Sequence, residues 1–154
     1  MARTIVTSID AIDALTELFS WADKVDLAYA WANAANGTAA HWKAIDLAKV
    51  RRAVIGTQFA QTEPWVLSEL HEKVGALRIV ITSEGTFHPK LAWAERGSRF
   101  RALIGSSNLT VGGFGSNTEL NVLLSGKSSD PEASALREFF ESAWLQGTRL
   151  DPTW

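Results

Sequence analysis

His88 and Lys90 stand two residues apart in Phe87-His88-Pro89-Lys90-Leu91, a run of strand character. Side chains two apart in a strand point to the same face. A polar turn, Glu95-Arg96-Gly97-Ser98, follows, and then an apolar run over 100–104 that ends in Gly105-Ser106-Ser107-Asn108. Two strands joined by so short a turn predict an antiparallel hairpin. In that hairpin His88, Lys90, Ser106 and Asn108 converge where one strand begins and the other ends. An imidazole, an ammonium, a hydroxyl and an amide make a poor core and a good cradle for a phosphate. Gly105 and Ser107 belong to the same cradle as substrate-binding positions. Arg96, Arg99 and Arg101 cluster in and just after the turn. They read either as a solvated turn or as contacts to a phosphate backbone.

His88-Pro89-Lys90, then Glu95, then Gly105-Ser106-Ser107-Asn108 resembles the HKD motif of the phospholipase D superfamily. Glu119, eleven residues past Asn108, stands where that family often places a further acid. Two departures are visible: Glu replaces the family's usual Asp at position 95, and the interval from Glu95 to Gly105 is longer than usual. The resemblance spans roughly residues 25 to 145 and implies phosphodiester cleavage. His88 would attack phosphorus and form a phosphohistidine. Lys90 and Asn108 would hold a nonbridging oxygen, with a weaker hydrogen bond from Ser106. Glu119 would accept from a ring nitrogen of His88 and fix its tautomer. The superfamily commonly uses two such motifs and this chain has one. A homodimer is therefore expected, because a two-fold axis brings the same patch to itself and supplies a second His88 as acid. The scheme calls for no cofactor and no metal.

The elements that must position these residues follow from pattern. Ser8, then Ile9, Ile12, Leu15 and Phe19, predict a helix over 9–22. The N-terminal residues before it read as a helix start. Strands are expected over 25–31, 52–59, 77–82 and 118–124, and a second helix over 39–49. A third helix is capped by Thr62, has Pro64 in its first turn, and ends at Gly75. Asp130-Pro131 opens the last helix. Alternation in the first half implies parallel strands with crossover helices, and the hairpin implies antiparallel pairing after it. The expected fold is a single α/β domain over 1–154, a mixed β-sheet with helices on both faces. That is also what the family resemblance implies. Gly112, Gly113 and Gly115 predict a flexible loop between Asn108 and Glu119. His41 and His71 are expected on helix surfaces. The seven tryptophans, residues 21, 31, 42, 65, 93, 144 and 154, are expected to pack cores or interfaces, with Trp93 in the core.

The chain has 154 residues, a formal net charge of −2 and no cysteine. Disulfides and thiolate metal sites are thereby excluded, which fits a cytoplasmic protein. No secretory leader or membrane span is legible. The charge offers nucleic acid no whole-molecule attraction, so any basic footprint must be local. Small single-motif members of the superfamily resemble homodimeric endonucleases, some joined to restriction enzymes or helicases. A nuclease acting on DNA or RNA, non-specific or guided by such a partner protein, is the leading expectation. The alternatives are a silent nucleic-acid-binding or assembly module, and a phospholipase or phosphatidyltransferase. No basic amphipathic helix for membrane docking is evident.

Overall fold

A computed structural model describes residues 1–151 and 153. Trp154, expected to pack with the other tryptophans, lies outside the described residues. Strand β1 (Ala2–Thr7) leads, then helix α1 (Ala11–Trp21), strand β2 (Lys24–Tyr29) and the short helix α2 (Ala40–Lys43). Strand β3 (Val50–Gly56), helix α3 (Pro64–Lys73) and strand β4 (Leu77–Val80) follow. Strands β5 (Lys90–Arg96), β6 (Arg99–Gly105) and β7 (Leu120–Lys127), helix α4 (Pro131–Gln146) and strand β8 (Thr148–Arg149) complete the order. The eight strands form one sheet in the order β1-β7-β6-β5-β2-β3-β4-β8. The β2–β3 and β3–β4 pairs are parallel. All other pairs are antiparallel. The expected mixed sheet is therefore present.

Strand alternation divides the core in two. Leu27 and Tyr29 of β2, Ile55 of β3 and Ala92 of β5 face α1 and α3 with Leu15, Leu18, Leu67 and Leu70. Ala28, Val54, Leu91 and Trp93 point the other way, onto Ala133, Phe140 and Ala143 of α4. Helices thus cover both faces, and Trp93 is core as expected, only 1% exposed.

Several expectations need correction. The first six residues after Met1 are an edge strand, not a helix start. Thr4, Ile5, Val6 and Thr7 are all β-branched and pair along β7. The helix expected over 39–49 stops at Lys43. Asp46 then accepts from the Ala48 amide and opens a separate 3-10 turn, Leu47–Lys49. Thr62 caps nothing. Its Oγ1 donates to the Gly56 carbonyl at 2.6 Å and accepts from the Ala32 amide at 3.3 Å. Strand β8 has no sequence signal, being two exposed residues paired with β4.

The end of the sheet where β2 begins carries an ionic network. Asp26 of β2 is fully buried. Arg51 binds it with Nε, at 3.0 Å, and with Nη2. Arg52 reaches the same carboxylate at 3.3 Å and Glu141 of α4 at 2.8 Å. Arg51 also holds Glu95 at 3.1 Å. Removing one partner of a buried pair commonly costs ~3–5 kcal/mol, and partial exposure of the arginines lowers that figure. Asp26→Asn is expected to lower unfolding free energy by on the order of 2 kcal/mol in urea titration. An unchanged midpoint and slope would show the network to be dispensable.

Candidate active site

The parallel strands β2 and β3 deliver their chain to one end of the strands, and β5 starts there. His88 and Pro89 precede β5, so the strand begins at Lys90 and Pro89 owes no ladder amide. The Pro89 carbonyl instead accepts from the Ala30 amide at 2.8 Å, which seats the His88 segment on the end of β2. Leu91 faces Ile104 across the β5–β6 ladder, so Lys90 lies beside Gly105 at the end of β6.

Lys90 Nζ stands 2.7 Å from His88 Nδ1 and donates to the His88 carbonyl at 2.8 Å. The residue is only 7% exposed, and among the described residues it makes no ion pair. Burial lowers the Lys90 pKa from its ordinary value, opposed by the charge of Glu119. Desolvation lowers the His88 pKa below the usual 6.5, and the charge of Lys90 adds to that. His88 is thus held neutral at pH 7. An ammonium donating to Nδ1 places the imidazole's own proton on Nε2. The folded chain resists a proton that the unfolded chain accepts, so this group's contribution to stability is present above pH 6.5 and is lost as pH falls.

Ser106 and Glu119 form a second pair. Ser106 Oγ donates to Glu119 Oε2 and accepts from the Leu120 amide at 3.0 Å. Asn117 Nδ2 donates to the other Glu119 oxygen at 3.3 Å. The expected bond from His88 to Glu119 is absent; Lys90 occupies Nδ1 instead. Asn108 Oδ1 is buried and has no hydrogen-bond partner among the described residues, as is true of several polar atoms elsewhere in the fold.

Four substrate-binding assignments, Ser107 and the three arginines, move out of the cradle, while Gly105 stays in it and lines the same cavity as His88 and Lys90. Ser107 is buried and its Oγ accepts from Asn121 Nδ2 at 2.9 Å, so its role is to fasten β6 to β7. Gly105 serves a close approach to a neighbouring strand: a Cβ there would sit 2.3 Å from Asn121 Oδ1 and 2.4 Å from the Leu120 carbonyl. Arg96, Arg99 and Arg101 lie at the opposite end of β5 and β6, where Arg101 stacks over Trp21 at 4.6 Å. Glu95, at that same far end, belongs to the Arg51 network.

Sequence reasoning missed the supports. Trp31 stands edge-on to His88, ring centroids 5.2 Å apart, with Lys90 Nζ 5.9 Å above its ring. Asn33 Oδ1 accepts from the Val111 amide at 2.8 Å and so ties down the glycine-rich loop. Gly113 has no room for a side chain, since a Cβ would meet the Asn108 carbonyl at 2.2 Å. The loop expected to be flexible is a fitted part. His41, expected on the surface, is buried against Phe114, ring centroids 5.7 Å apart. Its Nε2 donates to the Asn33 carbonyl at 2.8 Å, and desolvation lowers its pKa. His71 is exposed, as expected. Trp31 and Asn33 carried no spacing signal; their adjacency to Gly105-Asn108 arises only when the chain leaving β2 bridges Leu109 through Ala32.

A mixed sheet with an HxK segment opposite a GSxN segment at one strand end is the arrangement that the resemblance to the phospholipase D superfamily implies. No family model and no curated protein sequence matches this chain. Solved structures do. Nuc of Salmonella typhimurium, a phospholipase D family member, superposes with a TM-score of 0.70 at 19% identity over 96% of each chain. NucT from Helicobacter pylori gives 0.69 at 13% identity over 97% of this chain and 99% of its own. Phosphatidylserine synthase of Haemophilus influenzae gives 0.63 at 15% identity, covering 96% of this chain and 39% of that one. The chain has the phospholipase D fold.

Replacing Lys90 by Met removes a positive charge 2.7 Å from the ring. The His88 pKa, followed by imidazole NMR titration, is expected to rise relative to wild type. An unchanged or lower value would mean that the ammonium does not set the protonation of His88.

Proposed function

We propose that the protein is a phosphodiesterase, a nuclease acting on DNA or RNA through His88 in a homodimer. The observation that carries this reading is the contact between Lys90 and His88: a desolvated ammonium with only neutral partners, touching a neutral imidazole. Such a cation gains more from a phosphate than a solvated one does. The phospholipase D fold supports phosphodiester chemistry, as does its presence in yeast tyrosyl-DNA phosphodiesterase, with a TM-score of 0.62 at 14% identity over 92% of this chain and 38% of that one.

A phosphate in the cradle draws the Lys90 ammonium toward its nonbridging oxygens and releases Nδ1. The ring proton then moves to Nδ1, where Glu119 is the acid near enough to the site to influence Lys90. The freed Nε2 lone pair attacks phosphorus. The His88 of a second copy, which takes up a proton from solvent once the phosphate has drawn its own Lys90 away from Nδ1, protonates the departing oxygen and afterwards takes a proton from the water that cleaves the phosphohistidine. Asn108 donates its amide N–H to the phosphoryl oxygens, and Ser106 does so when its hydroxyl turns from Glu119. Ile9, Ile81, Val111 and Leu120 are exposed apolar side chains at the sheet end that bears His88, which supports association there. No helix is long and apolar enough to cross a membrane among the described residues. Cytoplasmic placement and guidance by a helicase or restriction-type partner belong to this same reading.

Incubation with plasmid DNA, single-stranded DNA and RNA in EDTA is expected to show cleavage. His88→Ala is expected to reduce it by at least ~10³-fold. Cleavage that requires added Mg²⁺, or survives the substitution, would overturn the mechanism. Light scattering is expected to give a dimer mass at micromolar concentration. A monomer that still cuts would remove the need for a second imidazole.

A further inference from the structure

Phe59 is an exposed apolar residue to which neither the fold nor the proposed dimer gives a task. Its side chain is 66% exposed. Its backbone has φ 63° and ψ 18°, and Ala60 follows at φ 52°. Two consecutive non-glycine residues in the left-handed region are uncommon, and each costs ~1–3 kcal/mol, which the surroundings must offset. The surroundings here do so through Gln58. Its Oε1 accepts from the Phe87 amide at 3.1 Å, and its Nε2 donates to the Thr82 and Gly85 carbonyls at 3.3 Å. Those are residues of the segment that carries His88. The Phe59 turn and the His88 segment are therefore one fastened unit.

The ring packs edge-on to Trp31 at a centroid distance of 6.3 Å, and Trp31 packs edge-on to His88 at 5.2 Å. Phe59 thus stands within about three stacked nucleotide steps of the imidazole, at ~3.4 Å per step. One ring edge is steadied by an indole while most of the ring faces solvent. This is the form of a stacking platform, and stacking asks for an unpaired base. It also supplies affinity without positive charge, which suits a chain with a net charge of −2.

We infer that Phe59 stacks on an unpaired nucleobase a few nucleotides from the phosphate at His88, and that the site therefore takes single strands in preference to duplex. This rests on the nuclease reading and names its substrate class. In duplex DNA both faces of each base are already stacked, so the platform has nothing to receive. Phe59 is accordingly a specificity residue that acts in binding.

The test measures anisotropy of a labelled single-stranded oligonucleotide and of its duplex on full-length protein carrying His88→Ala, so that cleavage does not interfere. Adding Phe59→Ala is expected to weaken single-strand binding about tenfold, as loss of one stacked base implies. Duplex binding should stay within about twofold, and Phe59→Trp should restore single-strand binding. A 2-aminopurine base in the strand should be quenched by the Phe59 protein and less so by Phe59→Ala. In the cutting enzyme, Phe59→Ala should raise KM with little change in kcat. Equal losses on both substrates, or none, would overturn the inference while cleavage by wild type left the nuclease reading standing. A fall from dimer to monomer mass on Phe59→Ala would reassign the ring to the subunit interface. Selective binding without wild-type cleavage would sink the nuclease reading alone, and no binding of either substrate would sink both.

Discussion

The ammonium of Lys90 is the constraint around which this structure is arranged. An ion withdrawn from water costs several kcal/mol unless a counter-charge or good donors and acceptors compensate. Lys90 has a ring nitrogen and a carbonyl, both from His88, and the influence of a more distant carboxylate. The strand register fixes its stem beside Gly105, the Pro89–Ala30 bond fixes the turn before it, and Trp31 closes one side. Stability elsewhere in the fold must offset this local cost. The ionic network at the opposite end of the sheet shows the contrast: there Asp26 is buried together with two guanidinium groups, and the charges balance.

The parts of the fold legible in the sequence were those set by local periodicity. Apolar spacing located α1, prolines and glycine bracketed α3 and opened α4, and turn residues located the β5–β6 hairpin. Local signals failed where distant partners decide. β1 is a strand because β7 offers it a ladder, and β8 because β4 does. α2 is short because Asp46 turns its carboxylate onto the backbone two residues on. Glu95, Arg99 and Arg101 illustrate a different limit. They are near His88 in sequence yet a whole strand length from it in space.

The site was legible as a motif and not as a geometry. Residue types gave His88, Lys90, Ser106, Asn108 and Glu119, and the fold brings their segments to one strand end. Which of them touch was hidden, because side-chain pairing depends on backbone positions set tens of residues away. Ser107 looked like its neighbour Ser106, but alternation along the chain sends it inward to Asn121. Asn33 gave no hint at all, and His41 and Gly113 read as a surface histidine and part of a flexible loop. Their joint effect is to hold the loop after Asn108 in a single shape, which keeps an amide with an unpartnered oxygen from relaxing away.

The placement of β1 and β8 has a mechanical meaning. They occupy opposite margins of an eight-stranded sheet, about 33 Å apart at ~4.8 Å per strand. Pulling on the two would load every ladder between them at right angles to the strands, peeling the sheet one pair at a time. The four-residue β4 and the two-residue β8 form the weakest seam, far from the β5–β6 hairpin. Under tension the molecule would open first along that seam, with the histidine and lysine still in place.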